Sequence, residues 1–404
     1  MKVLFRDALL WDGVGSESRP HMDVLIDGER IADVRPTASS PAERDARQVD
    51  LGGAFLMPGL IDMHVHLIWS GSPDPVSVVD ADGEQLTAMR AVANAQAQLS
   101  SGVTTVRDVG SNWDLAIALA RAISRGHVEG PRVVASGRTI IMTGGHDPFW
   151  GIPCDGADAV LRGVRTQIYA GAGVIKVAAT GGVYGRPEGE EIGQSELSYE
   201  ELAVAAGEAH RFGLHVAAHA LGTQGIADAV RAGIDTIEHC IFLSEEVAAE
   251  MKRRGTAMTP TVLIYRTIAE GDGAGIPAYA VEKAKRAVAA HRESVRMALE
   301  MGIPIVAGTD AGSCNTPHPS LLREITSLHA CGLPRDHALR AATSAAAEAL
   351  GMSRTLGTVA PGKAADLLVV DGNPLDRLED LRRLRYVVRA GRFVVGAAGE
   401  SRCA

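Results

Sequence analysis

The chain has 404 residues, 46% of them hydrophobic and 22% charged, enough to bury a large core and too apolar for a disordered segment. A net charge of -9 opposes a nucleic-acid partner, whose phosphates such a surface repels. No stretch approaches the roughly 18 uninterrupted apolar residues of a membrane span, and Arg6, Asp7 and Asp12 interrupt the apolar run that a signal peptide requires. A cytoplasmic protein with no membrane partner is therefore expected.

Residues 1–58 contain short strands with turn signals, among them VLIDGERIADV, where Asp27-Gly28 marks a hairpin. Eight β-branched runs then follow: GLIDMHVH (59–66), TTVRDV (104–109), RVVASG (132–137), VIKVAA (174–179), HVAAH (215–219), TIEH (236–239), AMTPT (257–261) and IPIVAGTD (303–310). Alanine-rich helical stretches such as SYEELAVAAGEAHRFG and GTQGIADAVRAG separate them, several ending on the glycine that stops a helix. Eight successive βα units without a GxGxxG at the first turn predict an α/β fold, a (β/α)8 TIM barrel. After the last helix, residues 364–371 and 386–396 again read as strands.

Neither terminal group of strands buries enough apolar surface to stand alone. Residues 1–58 and 351–396 are therefore expected to build one small β-sandwich domain, with the barrel at 59–350 between them and a tail at 397–404. Glycine-rich loops at 138–158, 181–196 and 264–278 are expected over the C-terminal face of the barrel, where active sites are assembled. The five cysteines (Cys154, Cys240, Cys314, Cys331, Cys403) lack CxxC pairing and read as reduced thiols, with Cys240 a small apolar core residue.

His64 and His66 stand at i and i+2 of the first barrel strand, so both imidazoles face one side. His219, His239 and Asp310 end three other strands, and these five ligand-type residues converge if the barrel closes. Lys176 lies inside an apolar strand, where an ammonium is costly unless its charge is removed or paired. Burial would expose an amine able to add carbon dioxide as a carbamate, and pairing to an acid such as Asp310 explains the same position. Strand position alone leaves both open.

The segments FLMPGLIDMHVH (55–66), IKVAATGG (175–182), HVAAHA (215–220), TIEH (236–239), AGTDAG (307–312) and GKAADLLVVDGNPL (362–375) resemble the amidohydrolase superfamily, in its order and over nearly the whole chain. With GGHD (144–147), the chain looks most similar to binuclear Xaa-Pro dipeptidases, Xaa-Arg/Lys carboxypeptidases and ochratoxin-hydrolysing amidases. The resemblance implies two divalent cations. His64, His66 and Asp310 would hold the buried one, His219 and His239 the more exposed one, and a carbamate on Lys176, derived from carbon dioxide, would bridge them. Nitrogen-rich ligation suits zinc, and manganese, cobalt or iron also fit. His146 would face substrate; the family's glycine after it, often replaced, is here Asp147 followed by PFWG, so the resemblance does not carry over a first-subsite preference.

Two cations would acidify a water for attack on an amide carbonyl, with Asp310 as the catalytic base. Tyr265 is expected as an oxyanion donor, a substrate contact or a loop aromatic covering the rim, and His318 as a second rim histidine. Donors at His146, Arg186, Tyr265, Arg266 and His318 outnumber the acids Glu188, Glu190 and Glu191, which points to dipeptides or N-acyl amino acids with a free carboxylate. His21, His127, His210, His291, His329 and His337 are placed on surface helices or loops without a role. Neutral carbamate, aryl-urea or cyclic amide substrates are the alternative. A mononuclear relative of imidazolonepropionase lacks the bridging lysine, and a scaffold without activity would not keep every ligand position. The expected partner is a small-molecule or dipeptide substrate, and the expected assembly a homo-oligomer.

Overall fold

The computed structural model describes residues 2–39, 43–271 and 273–396, so the expected tail, with Cys403, lies outside the described residues. Strands β1 (Lys2–Leu10), β2 (Arg19–Asp27) and β3 (Arg30–Pro36) form an antiparallel meander, and β4 (Arg47–Asp50) and β5 (Phe55–Pro58) run parallel to β1. The expected Asp27-Gly28 hairpin is present: Asp27 pairs with Arg30, and Gly28 takes the positive φ of 60° that the tight turn requires.

The barrel segment runs β6 (Leu60–Val65), α1 (Pro75–Ser100), β7 (Val103–Asp108), α2 (Leu115–Ser124), β8 (Arg132–Ala135), β9 (Ile140–Ile141), β10 (Ile152–Pro153) and α3 (Ala157–Ala170). It continues with β11 (Ile175–Ala178), α4 (Tyr199–Arg211), β12 (Val216–Ala220), α5 (Thr223–Ala232), β13 (Thr236–His239), α6 (Glu245–Arg254), β14 (Ala257–Thr259), α7 (Val262–Ala269), α8 (Ala278–Met301) and α9 (Leu321–Ala330). Two short helices, α10 (Arg335–Ala341) and α11 (Ser344–Ala349), precede β15 (Leu367–Val370), β16 (Leu384–Arg389) and β17 (Arg392–Val395).

Strands from both termini join one eight-stranded sheet, in the order β17-β16-β15-β5-β1-β2-β3 with β4 beside β1. The alternation expected of a half-buried sheet supplies its core: Val3 and Phe5, Val24 and Ile26, and Leu367 and Val369 enter one apolar cluster. By internal contacts the chain divides into one unit of 1–61, 97–105 and 334–404 and another of 62–96 and 106–333.

In the second unit β11, β12, β13 and β14 pair in parallel, as consecutive βα units require. The eighth strand is irregular. Segment 303–310 pairs through isolated bridges, and beside β6 side chains take the ladder groups: Thr309 N donates to Asp62 Oδ1 and Met63 O accepts from Arg107 Nε. It still closes the barrel: Val306 N donates to Met258 O (2.9 Å), Met63 N to Ala307 O (2.9 Å) and Asp310 N to His64 O (2.7 Å). Gly308 allows that approach, since a Cβ there would lie 2.7 Å from the Cβ of His64.

Two of the three expected loops contain regular structure. The 138–158 segment holds β9, β10 and the start of α3, and much of 264–278 is helical because α7 begins at Val262. Helix α7 lacks a side-chain cap of its own, and the buried Glu324 of α9 accepts from Val262 N (2.9 Å) and Leu263 N (2.8 Å) instead. A cap supplied from 61 residues away leaves no local signal.

Burial pushes the Glu324 carboxyl up to about 8, against the pull of those two N–H donors. The folded state therefore keeps a proton that the unfolded chain releases above about pH 4.3, so stability falls as pH rises from that value through about 8. Glu324→Gln loses one acceptor, costing about 1 kcal/mol at pH 6, but has no proton to release. Melting temperatures of the two proteins should converge between pH 6 and 9, and parallel curves would refute this role for Glu324.

Candidate metal centre

The C-terminal tips of the barrel strands bring the six expected ligand residues to one cavity. Strand β6 presents His64, followed by His66 two residues on; β11 supplies Lys176, β12 His219 and β13 His239, while Asp310 comes from the irregular eighth strand. The ligand atoms of His64, His239 and Asp310 all lie within 4.8 Å of one another. Asp310 Oδ1 is 3.3 Å from His66 Nε2 and 3.9 Å from His64 Nε2. His219 packs its ring 4.7 Å from that of His239.

Three of the histidines engage Nδ1 outside this cluster. His64 Nδ1 lies 2.7 Å from Glu238 Oε2, His66 Nδ1 3.1 Å from Gly110 O, and His239 Nδ1 2.7 Å from Thr261 Oγ1. A carbonyl can only accept, so His66 carries its proton on Nδ1 and offers the Nε2 lone pair. His219 Nε2 has no hydrogen-bond partner, although the residue is only 3% exposed. A buried nitrogen without a partner is costly, and a cation facing the imidazoles and Asp310 would satisfy it. The donor set therefore fits a divalent metal.

Charge in the cluster follows from burial. Burial, reinforced by the positive charge of Lys176, lowers His64 to about 4, and burial with neighbouring imidazoles drives His219 and His239 well below the usual value. All three present the neutral form that metals bind. Burial also lowers the Lys176 ammonium, against Glu238, Asp147 and Asp310. Burial disfavours the Asp310 carboxylate, but His64 and His66 outweigh it and hold the group below the ordinary carboxylate range.

The backbone at the strand tips is strained. His239 (φ 69°), Thr261 (φ 51°), Asp310 (φ 57°) and Asp147 (φ 62°) all adopt left-handed conformations, which cost L-residues about 1–3 kcal/mol each. In β13 this break in strand geometry lets Glu238 and His239 serve the same site, although consecutive strand residues ordinarily face opposite ways.

The expected substrate contacts separate. His146 and Tyr265 line the cavity. The ring of His146 stacks 3.9 Å from that of His219, and its Nδ1 meets Glu190 Oε1 at 2.7 Å. Gly182 makes room for it, because a Cβ there would come 2.2 Å from His146 Cε1. Burial opposes the imidazolium, but Asp147 and Glu190 outweigh it and raise His146 to about 9. His318 instead sets its Nε2 3.2 Å from the His66 carbonyl oxygen. Arg266 lies on α7 with its guanidinium toward Ser327, and Arg186 donates to Gly189 O.

Several expectations need correction. Glu190 is not a rim acid: it is buried, accepting from Gly182 N, Arg186 N and His146. Tyr265 belongs to α7 rather than a loop, 5.3 Å ring to ring from His239. His291, expected on a helix surface, is 2% exposed and 5.2 Å from the Tyr265 ring, and His21 is a strand residue of β2. The helical period of α8 did not reveal which face Tyr265 would cover.

Sequence reasoning missed the residues behind the ligands. Glu238, fully buried, accepts from Arg107 Nη2 (2.7 Å) and Thr236 Oγ1 (2.5 Å), and Arg107 Nε donates to Met63 O (2.6 Å). Asp62 accepts from Thr309 N (3.0 Å) and Thr309 Oγ1 (2.7 Å), and Asp108 from Leu67 N (2.8 Å). The available signal was a charged residue inside an apolar strand: Asp62 in GLIDMHVH, Arg107 in TTVRDV, Glu238 in TIEH.

An aromatic wall borders the cavity. Trp69 and Trp150 pack 4.4 Å apart, both within 5.0 Å of the His66 ring, and Phe149 and Tyr184 extend the cluster. Tyr184 also donates its hydroxyl to Asp74 Oδ1 at 2.5 Å.

The model of the amidohydrolase family matches residues 55–394. Ochratoxinase of Aspergillus niger is 28% identical over 373 residues, which cover 84% of this chain and 76% of that protein. The crystal structure of A. niger ochratoxinase superposes with a TM-score of 0.88 at 27% identity, over 98% of this chain and 96% of that one. A Xaa-Pro dipeptidase with methionine bound in its active site gives 0.90 at 31% identity, over 97% of this chain and 99% of that one. A prolidase complexed with N-methylphosphonate-L-proline gives 0.89 at 31% identity, over the same 97% and 99%.

Glu238→Gln should separate positioning from ligation. It removes the charge that Arg107 neutralises and weakens the acceptor that orients His64, so metal affinity should fall about 10- to 100-fold. Competition with a chelating dye measures the change, and unaltered affinity would show that His64 does not depend on Glu238.

Proposed function

Because this chain belongs to the amidohydrolase family and is a hydrolase of C–N bonds, we propose that it releases amino acids from dipeptides or N-acyl amino acids bearing a free carboxylate. The carrying observation is the convergence of four histidines, Lys176 and Asp310 on one buried cavity, with the Nε2 of His219 lacking a partner. His64, His66 and Asp310 would hold one divalent cation, zinc by preference, and His219 and His239 a second, with a carbamate on Lys176 between them. When bound, the cations supply an acidified water and a Lewis acid for the amide carbonyl.

The residues of this chain then divide the remaining work. Asp310, whose Oδ1 lies 3.3 Å from His66 Nε2, would take a proton on its carboxylate and deliver it to the leaving nitrogen. Burial, followed by the negative charges of Asp310 and Asp147, keeps the Tyr265 hydroxyl protonated as a donor. His146, raised to about 9, offers positive charge to a substrate carboxylate. Trp69 and Tyr184 line the cavity beside these groups and give an acyl portion an apolar, aromatic surface. Methionine bound in the active site of the Xaa-Pro dipeptidase structure and N-methylphosphonate-L-proline bound to the prolidase support this substrate class.

Purified protein should carry about two divalent ions per chain by elemental analysis, since six ligands exceed the four of a single tetrahedral site. Lys176→Ala should lose both metal and activity, and a small carboxylic acid should partly restore them by occupying the place of the carbamate. If that variant keeps both ions without added acid, Lys176 is a structural partner only.

Removing the substrate carboxylate gives the test of substrate class. Converting an N-acyl amino acid to its C-terminal amide should lower kcat/KM, raising the activation free energy by about 2–5 kcal/mol, the cost of leaving a buried charged partner unpaired. Equal rates for acid and amide would mean that the carboxylate is not read, and neutral carbamates or ureas would become the better substrates.

A further inference from the structure

A second cavity of about 200 Å³ lies among α7, α8 and α9, with Tyr265 contributing to its wall as well as to that of the metal centre. Its polar lining is cationic: Arg266 and Arg292 border it, and Ser327 Oγ stands 3.4 Å from the Arg266 guanidinium. Val288 and Ala330 supply apolar surface. His291, 2% exposed, lines the same space with an Nε2 that has no hydrogen-bond partner.

The chemistry of the missing partner can be read from that ring. His291 bonds the carbonyls of Pro260 and His239. With Nε2 unpartnered, those bonds belong to Nδ1, which must carry the proton because a carbonyl only accepts. Nε2 is therefore a buried acceptor awaiting a donor. Arg266 and Arg292, both exposed, border the same cavity and favour an anion there, and arginine is the side chain best suited to a carboxylate. A cavity of about 150 Å³ holds benzene, so one of this size admits a ligand of about eight non-hydrogen atoms.

We propose that this cavity binds a small aliphatic α-hydroxy carboxylate, its carboxylate on Arg266 and Arg292, its hydroxyl donating to His291 Nε2, and its alkyl group against Val288 and Ala330. A hydroxyl suits the site better than an ammonium, which the two arginines would repel. The site is separate from the proposed reaction and does not depend on the identity of the hydrolysed amide.

Equilibrium binding to the metal-loaded enzyme tests this with 2-hydroxyisovalerate as the probe, compared with isovalerate and L-valine. The hydroxy acid should bind at least tenfold more tightly than isovalerate, which leaves His291 without a donor, and more tightly than L-valine. Arg292→Ala should weaken its binding at least tenfold, and Ala330→Leu, which fills part of the space, should do the same. Both substitutions lie outside the metal centre, so kcat/KM for amide cleavage should stay within twofold. Unchanged binding in both variants would place the probe in the catalytic cavity and overturn the proposal, as would equal affinity for isovalerate. Tighter binding of L-valine would overturn the choice of a hydroxyl.

Discussion

The carboxylate of Glu238 is fully buried inside the barrel, and the geometry of the candidate metal centre depends on how its charge is held. Arg107 neutralises it, Thr236 donates to it, and its other oxygen orients His64. A buried ion pair of this kind adds little stability over apolar packing, yet breaking one costs about 3–5 kcal/mol. Its use here is positional. Arg107 also donates to the Met63 carbonyl, so one guanidinium ties β7 to β6 and β13. The imidazole of His64 is thereby aimed at Asp310.

The same logic extends around the rim. His66 is oriented by Gly110 O and His239 by Thr261, while Asp62 fixes Thr309 beside Asp310. His64, His66 and His239 thus each have a partner on the side away from the cavity, which lowers the cost of holding these imidazoles together. The strained backbone at His239, Thr261 and Asp310 is the complementary expense. It persists because hydrogen bonds and packing on all sides over-determine those conformations.

Tyr265 joins the two cavities of this face. Its ring meets His239 on one side and His291 on the other, and α7 carries it because Glu324 caps that helix from α9. The Trp69–Trp150 pair occupies another side of His66. Residues lining the cavity therefore rest on helices as well as strand tips, and their positions follow from packing between elements distant in sequence.

The sequence by itself determined the order of βα units, the terminal sheet and the ligand-type residues, because each is written in local periodicity or at a strand end. Asp62, two residues before His64, obeyed that rule too and was overlooked. Only the tertiary structure decided that Glu238 and His239 serve one site, since a positive φ breaks the alternation that sequence reading assumes. It also decided that Glu190 turns inward to His146, that Arg266 faces a different cavity, and that His291 is buried. Each of those outcomes depends on a partner tens of residues away, and burial of a polar side chain is a property of what covers it, which no local pattern records.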